Sequence, residues 1–230
     1  MKRKICLLLS FVLVACISLC ACGGSGNAQN DFLTKNEWKD IGNEDCTFTF
    51  NSNGTGTFEN RDTTWELNEN RVSVSYQGSM RTMTLEFDVV ENGSSKMLVE
   101  CPNDIAGAKI LVVSNNYENE CQNTKDYLLE QAETLDWEAV YDEILQNEAR
   151  ASANHTGKIV KWTAKVFDIS DNYCRMAIEQ SGYLPVNPID VYMSDEEIIK
   201  FDKFDEITVI GILEINDNLS KITGAFVAEN

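Results

Sequence analysis

Residues 46–59, Cys46-Thr-Phe-Thr-Phe-Asn-Ser-Asn-Gly-Thr-Gly-Thr-Phe-Glu59, read as a β-hairpin. Successive side chains of a strand point to opposite sides, so Phe48 and Phe50 share one face and the threonines the other. Asn51-Ser-Asn-Gly-Thr-Gly56 supplies the turn chemistry, and Thr57-Phe58-Glu59 brings the chain back. Outward from this hairpin the pattern repeats. Strand-like runs stand at Thr63–Leu67, Arg71–Tyr76, Met80–Val90, Met97–Cys101 and Lys109–Val113, with Asn68-Glu-Asn70, Gln77-Gly78 and Asn92-Gly-Ser-Ser95 between them. Strands recurring every ten residues or so predict an antiparallel meander that closes as a small barrel or sandwich. Ahead of them, Thr34-Lys-Asn-Glu-Trp38 reads as a short amphipathic segment whose Trp38 plugs one end of the barrel.

The layout over residues 34–76 combines a tryptophan segment, a Thr/Phe hairpin through Asn-Ser-Asn-Gly, Trp65-Glu-Leu67 and a Val-Ser-Val-Ser-Tyr76 strand. It resembles the lipocalin-like domains of bacterial surface lipoproteins. That resemblance implies a carrier, with Trp65 as a candidate ligand contact. The residues themselves favour an interior filled by Phe48, Phe50, Phe58, Trp65, Tyr76 and Phe87, because large aromatics on the inner face of a short barrel are core material.

Residues 114–124 are polar and punctuated by asparagine, which places a linker there. Thr124 is positioned to cap a helix through about Glu133. Asp136 caps a second, in which Trp137, Val140, Tyr141, Ile144 and Leu145 recur at helical spacing. Its acids Glu138, Asp142, Glu143 and Glu148 read as a solvated face rather than a metal site. After Gly157 the expected order is strand (Lys158–Ile169), strand (Tyr173–Glu179), strand (Ile189–Met193), helix (Asp195–Asp202), strand (Ile207–Leu213), strand (Lys221–Val227). Five strands with a helix between the third and fourth is the order of an OB-fold.

The stretch Asn147–Ile169, with Gly157-Lys158 leading into the first strand, and Phe204-Asp-Glu-Ile-Thr-Val-Ile-Gly211 in the fourth, resembles the OB-like domain of bacterial lipoproteins classed as tRNA-anticodon-domain-like. Phe204-Asp205 stands where Gly-Asp is usual. In such folds the loop between the second and third strands borders ligands, which makes Tyr183 and Leu184, in Ser181-Gly-Tyr-Leu-Pro-Val-Asn-Pro188, candidate contacts; the alternative is packing on the barrel rim. The fold class is therefore mainly β with a helical connector (α+β), an N-terminal antiparallel meander barrel or sandwich and a C-terminal five-stranded OB-like barrel. The expected divisions are residues 31–114, 115–156 and 157–230.

The chain opens with Lys2, Arg3 and Lys4, an apolar run from Ile5 to Leu19, and Leu19-Cys20-Ala21-Cys22 before Gly23-Gly-Ser-Gly26. A basic start, an apolar stretch too short to span and small residues at its end make a secretory signal over residues 1–21. The last four residues resemble the lipobox of bacterial lipoproteins, which implies lipidation at Cys22, with residues 22–30 as a flexible tether. Two acyl chains hold a protein on a bilayer where one does not. The expected location is extracytoplasmic, on the outer face of a Gram-positive membrane.

Asp and Glu number 37 against 19 Lys and Arg, a net charge of −18 on 230 residues. Every segment is net acidic, so the anchor must be lipid rather than charge, and no nucleic-acid partner is expected. The cysteines left after processing, Cys46, Cys101, Cys121 and Cys174, allow three full disulfide pairings, or none. The one histidine, His155, lies in Ala-Asn-His-Thr-Gly, read as a loop, and no Cys-x-x-Cys follows Cys22, so no metal or cofactor is expected. Nucleophile, phosphate-loop and metalloprotease motifs are absent from the sequence, and no pair of its acids stands out as a hydrolytic couple. The expected function is that of a non-enzymatic binding or interaction module with an envelope protein as partner. A small-molecule carrier and an envelope hydrolase are the alternatives.

Overall fold

The structure is a computed structural model that describes residues 30–93, 95–101, 109–181, 184–215 and 220–228. Eight strands, β1 (Glu37–Asp40), β2 (Asn43–Phe50), β3 (Thr55–Phe58), β4 (Arg61–Asn68), β5 (Arg71–Gln77), β6 (Thr82–Asn92), β7 (Ser95–Glu100) and β8 (Ile110–Val113), pair in chain order, and β8 returns to β1 to close a barrel. The hairpin at residues 46–59 joins β2 to β3, with Phe48 opposite Phe58 and Phe50 opposite Gly56. Gly56 has no substitute there: a Cβ would stand 2.0 Å from the Thr49 carbonyl oxygen.

Trp38 is not a plug. It sits in β1 opposite Phe48 of β2 and Val113 of β8, fully buried, and its strand removes the open edges a seven-stranded sheet would have. The turn of helix α1 (Asp31–Thr34) supplies Leu33 instead, which is buried and whose carbonyl accepts the Trp38 indole N–H at 3.3 Å.

Helix α2 (Tyr117–Gln131) begins directly after left-handed Asn116, so the polar stretch expected as a linker is two turns of helix, and Thr124 lies within it, buried, rather than capping it. The reason is the face it presents. Tyr117, Cys121, Thr124 and Leu128 recur every three or four residues; Leu128 joins, and Tyr117 and Cys121 pack against, a cluster of Met97, Ile110 and Val112 of the first barrel and Ile210, Ile212 and Phe226 of the second, while Thr124 is buried. A seam of tyrosine, cysteine and threonine gives little hydropathy signal.

After β9 (Glu133–Thr134), helix α3 (Trp137–His155) starts as expected, with Asp136 Oδ1 accepting the Ala139 N–H at 3.1 Å. It breaks at Asn147 (φ −165°, ψ 93°), whose side chain caps a new start by accepting the Arg150 N–H at 3.0 Å. His155, read as a loop residue, is the last residue of this helix.

The second barrel is made of β10 (Ile159–Ile169), β11 (Tyr173–Ala177), β14 (Ile189–Met193), β15 (Glu206–Glu214) and β16 (Lys221–Val227). β12 (Glu179–Ser181) and β13 (Leu184–Val186) form a side hairpin, and helix α4 (Asp195–Ile198) lies between the third and fourth barrel strands. The order β10-β11-β14-β16-β15 closes on β10, antiparallel throughout except for the parallel β14–β16 pair, and β9 adds parallel to β10. The expected five strands and their helix are all found. Both barrels belong to one compact unit, Leu33–Asn230.

Candidate functional site

The first barrel has a packed interior. Phe48 stacks on Phe58 at 4.4 Å and meets Phe87 edge-on at 5.5 Å, Phe50 meets Trp65 edge-on at 5.5 Å, and Tyr76 leans on Phe58 at 5.2 Å. Trp65 is 6% exposed, and its indole N–H is shared between the carbonyls of Asn51 (3.1 Å) and Thr55 (2.9 Å). Its donor is thus spent on holding the β2–β3 turn. Leu184, at the start of β13, is 72% exposed and pairs through its backbone with Ser181. Trp65 stands in the first barrel and Leu184 on the side hairpin β12–β13, and they form no common site; Tyr183 and Cys22 lie outside the described residues.

Sequence reasoning missed a cleft of about 230 Å³ beside α3, with an apolar floor that includes Val140, Val160 and Leu213 and a rim that includes Glu143, His155 and Lys158. The break at Asn147 builds it by turning the second half of α3 back toward the first. Glu143 then accepts from Arg150 Nε at 3.0 Å and Asn154 Nδ2 at 2.8 Å and meets His155 Nε2 at 2.8 Å. The bond from His155 holds the Glu143 carboxyl below its usual range, aided by Asn154 and Arg150 against some desolvation. With three donors on one carboxylate, this is a clasp across a kink rather than a poised general base, which needs an oxygen free for the proton it takes. The neighbouring Asp136 carboxylate is spent on its cap. The signal that could have located the clasp is the Asn147 break, invisible to helical periodicity.

The four cysteines of the described residues are free thiols. Burial pushes Cys46 and Cys174 up to about 12 and Cys101 up to about 11, so they stay protonated and unreactive at neutral pH. Among the described residues no three or more His, Cys, Asp or Glu side chains gather as a metal site, and no helix is long and apolar enough to cross a membrane.

No family model matches the chain, and no curated protein matches it. Among solved structures it is similar to a "putative nucleic acid-binding lipoprotein" from Klebsiella pneumoniae subsp. pneumoniae, at 14% identity and a TM-score of 0.36, over 45% of this chain and 98% of that one. So loose a likeness carries no argument about either barrel.

Proposed function

We propose that this chain is a lipid-anchored, extracytoplasmic binding module without enzymatic activity, tethered through a diacylglyceryl group on Cys22 to the outer face of a Gram-positive membrane. The outer surfaces of its lipocalin-like and OB-like barrels meet an envelope partner. One observation carries the choice of surface over lumen: aromatic side chains occupy the first barrel and the Trp65 N–H is already bonded to Asn51 and Thr55. A carrier would need that space for its cargo. A net charge of −18 argues against phosphate backbones, so the name of the Klebsiella protein is not extended to this one.

Native mass spectrometry of the acylated protein, extracted gently from its own cells, tests this reading. The expected spectrum shows acylated polypeptide together with a second protein. A discrete small-molecule adduct lost on denaturation would overturn it in favour of a carrier. The anchor has its own test. Cys22→Ala is expected to abolish acyl labelling and leave unprocessed precursor, whereas persistent labelling would place the lipid on another cysteine.

A further inference from the structure

At one end of the first barrel, charged groups take core positions. Glu100 closes β7 opposite Phe87 of β6 and alternates with Leu98, so it faces the same interior as Phe48 and Phe87. Its side chain is fully buried, and that of Lys109, just before β8, is 18% exposed. Lys109 holds this carboxylate twice: its backbone N–H donates to Oε2 at 3.1 Å and its Nζ to the same oxygen at 3.5 Å. The amine nitrogen thus already stands beside the carboxyl carbon, Cδ.

A second carboxyl lies next to the same residue. Asp40 Oδ1 accepts the N–H of Ile110 at 3.1 Å, which puts it within about 5.5 Å of Lys109 Cα, inside the reach of a lysine side chain. This is the seam where β8 closes on β1, with Asp40 opposite Leu111 and the Ile41 N–H donating to the Ile110 carbonyl at 2.9 Å. Burial pushes Asp40 up to about 6, so it gains and loses a proton close to neutral pH. Burial pulls the Lys109 ammonium down, but Glu100, Cys46 and Asp40 together raise it by more, and the resting contact is an ion pair. Charges in such a place are costly to keep, and an amide would replace one pair of them by a neutral group. Groups held in contact and well oriented react as though at roughly 10⁵–10⁸ M.

We infer that the folded chain forms an amide bond between Lys109 Nζ and Glu100 Cδ, with Asp40 as the proton carrier, stapling β7 to β8 beside the barrel seam. Lys109 gives one ammonium proton to Asp40, which passes it to a Glu100 oxygen. The freed lone pair on Nζ attacks Cδ and the C–N bond forms. Asp40 then takes a second proton from the nitrogen and delivers it to the departing oxygen, the C–O bond breaks, and water leaves. One proton stays on the amide nitrogen. One ammonium and one carboxylate become one amide and one water, with no oxidant, reductant or activating group consumed.

Mass spectrometry of the denatured full chain, purified from its own membranes, tests this. The expected intact mass is lower than that of the acylated polypeptide by one water. Trypsin is expected to leave Lys109 uncut, giving the peptide Met97–Lys125 lighter by one water and without backbone fragments between residues 100 and 109. In Lys109→Arg, shown by circular dichroism to be folded, the full mass should return. In Asp40→Asn the linked fraction should fall at least tenfold. Full mass with cleavage at Lys109 in the natural chain would overturn the proposal, and that measurement stands even if neither variant folds. A water loss kept in Lys109→Arg, or a branched peptide joining Lys109 to Asp40, would overturn it as well, and unchanged linkage in Asp40→Asn would remove Asp40 from the step.

Discussion

Phe204 shows what one side chain can cost. Its φ is 76°, the left-handed region where an L residue with a large side chain loses about 1–2 kcal/mol, and it is 62% exposed. The backbone turns left here so that the Phe204 N–H reaches the Val166 carbonyl at 2.7 Å, a conformation glycine adopts without strain. An edge-on contact with Phe167 at 6.4 Å and the Lys165 ammonium 5.5 Å above the ring offset part of the strain. Phe204→Gly is expected to stabilise the protein by roughly 0.5–1 kcal/mol, after the ring contacts and the added freedom of the unfolded chain are deducted. A lower urea midpoint in the variant would show that the ring contacts outweigh the strain. Asp40 links stability to pH through a raised carboxyl. Burial pushes its carboxyl up to about 6, against the opposing pull of the Ile110 N–H and Lys109. Unfolded, it titrates near 4, so between roughly pH 4 and 6 the folded state holds a proton that the unfolded state has released. This contribution is full below that window and is lost as pH rises through 6. Asp40→Asn keeps an oxygen for Ile110; relative to it, the wild type is expected to lose stability between pH 4.5 and 7. A difference that stays constant with pH would show that the carboxyl titrates normally.

Among the elements, α2 is held from two sides. Its apolar seam packs between the barrels, while Lys125 reaches the nearly buried Glu197 of α4 at 2.7 Å, where Lys200 Nζ at 2.9 Å and the Val227 N–H at 3.0 Å complete the carboxylate's bonds. Burial pushes Glu197 up, but Lys125, the Val227 amide and Lys200 together outweigh it and the carboxyl is held low. Lys125→Met leaves that carboxylate short of a partner and is expected to cost about 2–3 kcal/mol. Lys200, whose side chain is half in water, should cost under about 1 kcal/mol when changed to Met. Equal losses in thermal unfolding would show that the two lysines share the charge evenly. The reach of α2 was hard to read because Cys121 and Thr124 fill core positions without apolar signal. The start of α3 was easy to read because a cap is a local bond between Asp136 and Ala139.

At the scale of the whole molecule, Leu128 is the residue around which the two barrels share a core, with Met97, Ile110 and Val112 on one side and Ile210, Ile212 and Phe226 on the other. Leu128→Ala should cost about 2–5 kcal/mol, the range for a buried leucine. Because the cluster is common, the loss is expected in both barrels: native-state hydrogen exchange should quicken in β7 and β8 and in β15 and β16 alike. Faster exchange in one barrel only would show that they open as separate units.

Strand order was legible from residues alone wherever a period of two met a turn, as at Phe48 and Phe50 before Asn51-Ser-Asn-Gly54, because alternation and turn chemistry are local properties of the chain. The helix between the third and fourth strands of the second barrel was legible for the same reason. Tertiary structure alone decided that Trp38 closes a barrel instead of plugging one, that the Asn147 break brings His155 to Glu143, and that Thr55, Thr64, Ser75 and Thr84 fall into one row. The first and the last depend on strand pairing, and register of that kind is set by packing across the sheet, which no local pattern encodes; the second depends on a break inside one helix, which apolar periodicity does not show.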